Sequence, residues 1–343
     1  MYHAQVPTFN QEGVVTEIRC ETAAEFLAIL DPMLGPFAQP THLGGYVFRG
    51  LPSNQYSLLP SAYRPESTVR HQAAWVHPPL PTVSEQCVAE IETLRKFFDI
   101  AAREGITLPE DSQAMRSELD EWQIRARAGT ADSPIVWPPR ELWSLIALAQ
   151  HYGIPTRALD WTWSSLTAAY FAVVNVDERS SGRLAVWVFS YLATLFDNAL
   201  HLLYPGERPL ILFSAPGAEN KNLQAQRGLF MLERHRIVSR DEPFTPRPYE
   251  NLMEVSVPSA EKKIPLAIRI DVPYAEAPRI RWLLSAAGVT AGRLFPGLWG
   301  VAREFNEERL IAVEAFGWPA SDFAKQIQRE VMKTLKGAAP NSR

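Results

Sequence analysis

The chain has 343 residues, a formal net charge of −4 and 46% hydrophobic residues, enough apolar material for one large or two small domains. The acidic balance speaks against a sequence-independent grip on nucleic acid, and no run approaches the roughly 20 apolar residues of a membrane helix. Cys20 and Cys87 make neither a disulfide framework nor a zinc spacing, and the first residues lack a leader pattern, so the expectation is a cytoplasmic protein without a metal site.

Residues 1–13 carry no periodic pattern, and 14–18 read as a short strand. Thr22 and Glu25 form a capping box, in which each side chain satisfies an amide of the other end. Phe26, Leu27, Ile29 and Leu30 continue it as a helix that stops near Pro32. Residues 46–50 read as a strand ending in Arg49 and Gly50, residues 51–70 as irregular, and 73–81 as a proline-rich surface segment. A second capping box, Thr82 with Glu85, opens a helix whose apolar face is Val88, Ile91, Leu94, Phe98 and Ala101, with Gly105 as its stop. Residues 110–128 form a charged helix with Met115, Leu119 and Trp122 inward, and 140–150 a helix burying Leu142, Leu145, Ile146 and Ala149. Strands are expected at 184–190, 209–213 and 265–272, and after Gly228 within 220–233. Helices are expected at 275–287, ended by Gly288, then at 293–305, 307–315 and 321–335, with 336–343 a tail. Helices gather early and strands late, without a βαβ rhythm. The fold class is therefore α+β, with a mixed, mainly antiparallel sheet core, flanking helices and a helical insertion at about 82–140.

One stretch concentrates chemistry. Residues 151–172, HYGIPTRALDWTWSSLTAAYFA, place polar groups among aromatics at a strand-to-helix join. Proline 155 forces extended backbone there, and an amphipathic helix follows, with Leu166, Ala169, Tyr170 and Val173 on one face. Asp160 or Thr162 is expected to cap that helix, whose first-turn amides and positive dipole end suit an anion.

The segments FRG (48–50), QHYGIPTRALDWT (150–162) and AAYFA (168–172) resemble the FRG domain, as do QRGLF (226–230) and the stretch 288–300 around LFP. The resemblance extends over roughly residues 40–302, and the central block is its most specific part. It divides the chain into an extension (1–40), an FRG domain (41–305) and C-terminal helices with a tail (306–343). In outline the FRG domain is similar to the ADP-ribosyltransferase superfamily. That likeness implies an early strand with Arg, a middle motif with Ser, Thr or Tyr, and a late Glu or Gln. Here these are Arg49, Thr162 or Tyr170, and Gln226, with Glu233 seven residues on. The resemblance also implies NAD as substrate, and a bacterial toxin or anti-phage setting with a possible partner or antitoxin protein.

Each candidate carries a structural alternative. Arg49 reads as a phosphate clamp, with Gly50 allowing close backbone approach, or as a paired surface arginine. Arg157 and Asp160 read as a buried ion pair fixing the turn, or as an anion ligand with its orienting acid. His151 is a general acid/base or ribose contact, or a packed imidazole, and Tyr152 stands beside it. Tyr170 is the candidate for stacking on a base, whereas Trp163 and Phe171 read as core. In a transferase reading Gln226 or Glu233 holds the nicotinamide ribose or activates the acceptor, with Arg227 a cofactor-binding candidate, or Gln226 is a buried amide bonding a loop. Two functions follow: an NAD-consuming ADP-ribosyltransferase-like effector, or a non-catalytic nucleotide- or protein-sensing module.

Overall fold

The computed structural model describes residues 8–10, 15–38, 45–74, 81–106, 108, 111–128, 135–176, 181–191, 210–215, 221–237, 241–257, 262–265 and 267–317. The helix expected at 321–335 and the tail lie outside these residues.

An eight-stranded sheet divides the molecule. Its strands are β1 (Thr8–Asn10), β2 (Val15–Arg19), β3 (Tyr46–Leu51), β5 (Leu159–Thr162), β6 (Arg183–Ser190), β7 (Leu210–Phe213), β8 (Gly228–Glu233) and β12 (Ala267–Pro273). They run in the order β1-β2-β12-β6-β3-β5-β8-β7. The β2–β12 pair is parallel and the other ladders are antiparallel, which makes the sheet mixed and mainly antiparallel as expected. Two small ribbons, β4 (Ile135–Trp137) with β9 (His235–Ile237) and β10 (Glu254–Val257) with β11 (Lys262–Pro265), were not foreseen from the sequence.

Strand side chains alternate between two cores because successive Cβ atoms leave opposite faces of a sheet. Val47, Leu51, Trp161, Trp187 and Phe189 enter one core; Phe48, Leu184, Val186, Val188 and Ile270 enter the other. Both faces of β6 are covered, which is why its sequence, RLAVWVFS, is apolar almost throughout. The first core is closed by α2 (Thr68–Ala74), α3 (Val83–Arg103), α4 (Gln113–Ala128) and α5 (Trp143–His151). The second is closed by α1 (Ala23–Ile29), α6 (Ser165–Val173) and α8 (Ala277–Ala286), with Ala291 and Leu294 of the short α9 (Ala291–Leu294). α7 (Lys221–Ala225) precedes β8, and α10 (Leu298–Gly317) ends the described chain.

Both capping boxes form: Thr22 and Thr82 each accept from the amide three residues on, and Glu25 and Glu85 reach back. The cap of α6 differs from expectation. β5 keeps Asp160 and Thr162 in the ladder, so the next residue with free extended backbone, Ser164, caps the helix by accepting from the Thr167 amide. Thr162 supports the cap from behind, its hydroxyl accepting from the Ser164 amide. α10 runs unbroken through residues 305–307, where two helices were expected. The region 82–140 is built into the body: ten residues of α3 are buried, several of them in the first core.

Candidate functional site

β3, β5 and β8 lie side by side, so the three distant sequence blocks meet. A register pair Phe48↔Thr162 joins β3 to β5, and Thr162↔Gly228 joins β5 to β8. Near that junction, on the second-core face, a cleft of about 840 Å³ opens at the N-terminus of α6. Phe37, Phe48 and Trp163 contribute aromatic wall, Ser164, Ser165 and Thr167 the head of the helix, and Arg227 and Arg293 the cations. Among the described residues, the lining includes no carboxylate. The described residues contain no group of acids, histidines and cysteines fit to hold a metal ion.

Local chemistry explains how these groups are placed. Arg227 follows the C-terminus of α7 with a left-handed φ of 48°, and its amide donates to Gln224 O. That is where a helix usually ends in glycine, because a Cβ is penalised there. Its carbonyl accepts from the Trp163 amide, tying the two cleft walls together. Gly288 has a φ of +76°, and a Cβ there would come within 2.6 Å of Arg293 Nη1. The Arg293 guanidinium thus lies over the bare glycine backbone at the cleft edge.

Arg49 belongs to the opposite face. Val47, Arg49 and Leu51 share one side of β3, and only Phe48 lines the cleft. The Arg49 Nη1 donates to the Asp160 carbonyl and lies 3.6 Å from the Asp160 carboxylate. Its Nε is buried without a hydrogen-bond partner. Burial lowers its pKa, against the raising effect of Asp160. Asp160 also accepts from Gln150 Nε2 at 2.9 Å, and Gln150 in turn accepts from the Thr156 hydroxyl at 2.8 Å. The expected Arg157–Asp160 pair does not form.

Arg157 instead sits at the centre of the first core, 1% exposed on its side chain. Nε and Nη2 donate to the two Glu90 oxygens at 2.6 and 3.0 Å, and Nη1 donates to Glu233 O at 2.9 Å. Glu233 is equally enclosed, 3.3 Å from Arg247 and 3.6 Å from His235, with the Tyr63 hydroxyl 3.4 Å away. Burial raises its pKa, an effect that Arg157 and Arg247 oppose. Neither Arg157 nor Glu233 lines the cleft.

The remaining candidates divide. Thr162 donates to the Gln226 carbonyl at 2.6 Å, and the Gln226 amide donates to the carbonyl of cleft-lining Leu294 at 3.1 Å. The bonded-amide reading of Gln226 is the one the structure shows. Gly50 approaches α6, not open space: a Cβ there would sit 1.9 Å from the Ala168 carbonyl oxygen. Tyr170 donates to Glu307 at 2.7 Å, and burial with that bond raises its pKa. Its hydroxyl is thus engaged by α10, while Trp163, read as core, lines the cleft. His151 contacts Asn222 at 3.2 Å, and burial lowers its pKa while Asp160 opposes the shift. Tyr152 is 69% exposed at the end of α5. Sequence reasoning missed Phe37, Thr167 and Arg293; for the last, the signal was present in Gly288 five residues before it.

Residues 44–181 match the family model of the FRG domain. The chain carries an FRG domain. The match takes in the FRG signature itself, the central block and α6, whereas Arg227 and Arg293 lie beyond it. No curated protein and no solved structure matches the chain. Among the described residues, no helix is long and apolar enough to cross a membrane.

Proposed function

We propose that this FRG-domain chain binds nucleotides, NAD among them, in the cleft at the head of α6 and acts as a nucleotide-sensing module. One observation carries the reading: two arginines and a helix N-terminus face an aromatic-walled hollow with no acid among its described lining residues. Arginine and first-turn amides recognise phosphate, and aromatic faces stack on a base.

NAD cleavage by an ADP-ribosyltransferase-like fold is the second reading, and with it go the toxin or anti-phage roles and a neutralising protein partner. It is favoured by the direct contact of Thr162 with the Gln226 backbone beside the cleft wall. It is weakened because the Gln226 amide is engaged by Leu294 and Glu233 is buried in the other core. A transferase stabilises positive charge on the ribose with a group poised at that ring, and neither side chain is free to serve without rearrangement.

Calorimetry with NAD and ADP, run beside an assay for released nicotinamide, separates the two. Binding without release supports the sensing module. Release that Gln226→Ala abolishes in a folded protein supports the transferase. Absence of both binding and release overturns both.

A further inference from the structure

We infer that Arg227 and Arg293 form a clamp for a dianionic phosphate group, a pyrophosphate diester or a phosphomonoester, with the Thr167 hydroxyl as its third contact. The inference rests on the nucleotide-binding reading and adds where the phosphate lies and what charge it carries.

Backbone strain is the first support. Arg227 holds φ 48°, in the left-handed region usually left to glycine, and it lines the cleft. Free charge is the second. Neither Arg227 nor Arg293 makes a side-chain ion pair or hydrogen bond among the described residues, and both line the cleft. Both are exposed, whereas the more enclosed Arg157, Arg183 and Arg303 are paired. Two uncompensated guanidiniums in one hollow match two negative charges.

The third support is independent of the arginines. Thr167 is 5% exposed, and its hydroxyl donates to no group among the described residues. Thr167 lines the cleft. Its amide is taken by Ser164, and helix geometry leaves the Ser165 and Leu166 amides without an intrahelical acceptor. A hydroxyl, the head of a helix and two arginines therefore converge on one phosphate-sized region. Half-buried Trp163 remains for the planar part of the ligand, with Phe37 and Phe48 buried in the core beneath the cleft.

The test titrates the full chain with inorganic pyrophosphate, ADP and adenosine by calorimetry at low and high salt. Pyrophosphate and ADP are expected to bind, adenosine much more weakly, and salt to weaken the first two. Arg227→Asn keeps a residue that tolerates the left-handed backbone and removes the charge. It and Arg293→Gln should each weaken pyrophosphate about tenfold or more, with Thr167→Val weakening it about threefold. Unchanged melting of Arg227→Asn assigns its loss to the clamp. If ADP binds the wild type but both arginine variants stay within about twofold, or if adenosine binds as well as ADP, the clamp is refuted while nucleotide binding stands. If neither pyrophosphate nor any nucleotide binds, both fall.

Discussion

Replacing Arg157 by methionine tests how the first core is held. The guanidinium makes two bonds to Glu90, at 2.6 and 3.0 Å, and one to the Glu233 carbonyl at 2.9 Å, all out of contact with water. Methionine restores most of the volume and none of the donors. Glu90 would keep neutral donors from Gln86 and Trp137, each at 3.0 Å, but would lose its counter-charge while 4% exposed. Removing one partner of a buried ion pair costs about 3–5 kcal/mol. At roughly 2 °C per kcal/mol for a large domain, the melting temperature should fall by about 6–10 °C. Urea unfolding followed by tryptophan fluorescence measures the loss directly. Adding Glu90→Gln to Arg157→Met should recover part of it, because the stranded charge is then gone. A single-variant loss below about 1 kcal/mol would refute the assignment of Arg157 to a structural hub.

Gly50→Ala should destabilise by about 3 kcal/mol or more, since its Cβ would overlap the Ala168 carbonyl oxygen at 1.9 Å; thermal melting checks this. Thr82→Ala removes the acceptor for the Glu85 amide and should cost about 1 kcal/mol in urea unfolding, with ligand binding unchanged. His235 is held down to about 3 by burial, with Arg157 and Arg247 adding to the effect. Its folded pKa lies below the unfolded value of 6.5, so the unfolded chain takes up the proton first. The His235 contribution is thus present above about 6.5 and is lost as pH falls toward 3, by up to about 1.4 kcal/mol per pH unit. His235→Gln should flatten that slope in stability measured from pH 7 to 4.5, and an unchanged slope would count against a neutral buried imidazole.

Much of the sheet was legible because periodicity reports burial. The apolar run at 184–190 is β6, covered on both faces, and the two Thr-to-Glu spacings are true capping boxes. The ribbons β4–β9 and β10–β11 were not legible, since strands of three or four residues are too short to show an alternation. Side-chain direction was the harder problem. Arg157 and Asp160 are close in sequence, yet Arg157 precedes β5 and reaches Glu90 inside the first core, while Asp160, within β5, meets Arg49 and Gln150. Strand parity separates Arg49 from Phe48 and sends the named arginine of the signature away from the cleft. Gly50 was read as letting the backbone approach a phosphate, whereas what approaches it is the backbone of α6. Arg293 was not singled out in the sequence, although Gly288, read there as a helix stop, is the glycine its guanidinium covers.

The most direct measurement is a crystal structure of the full chain with ADP. The account predicts phosphate oxygens within hydrogen-bond distance of Arg227, Arg293 and the Thr167 hydroxyl, with the adenine against Trp163. Phosphates seated instead on the opposite face of the sheet, against Arg49 and Asp160, would contradict it.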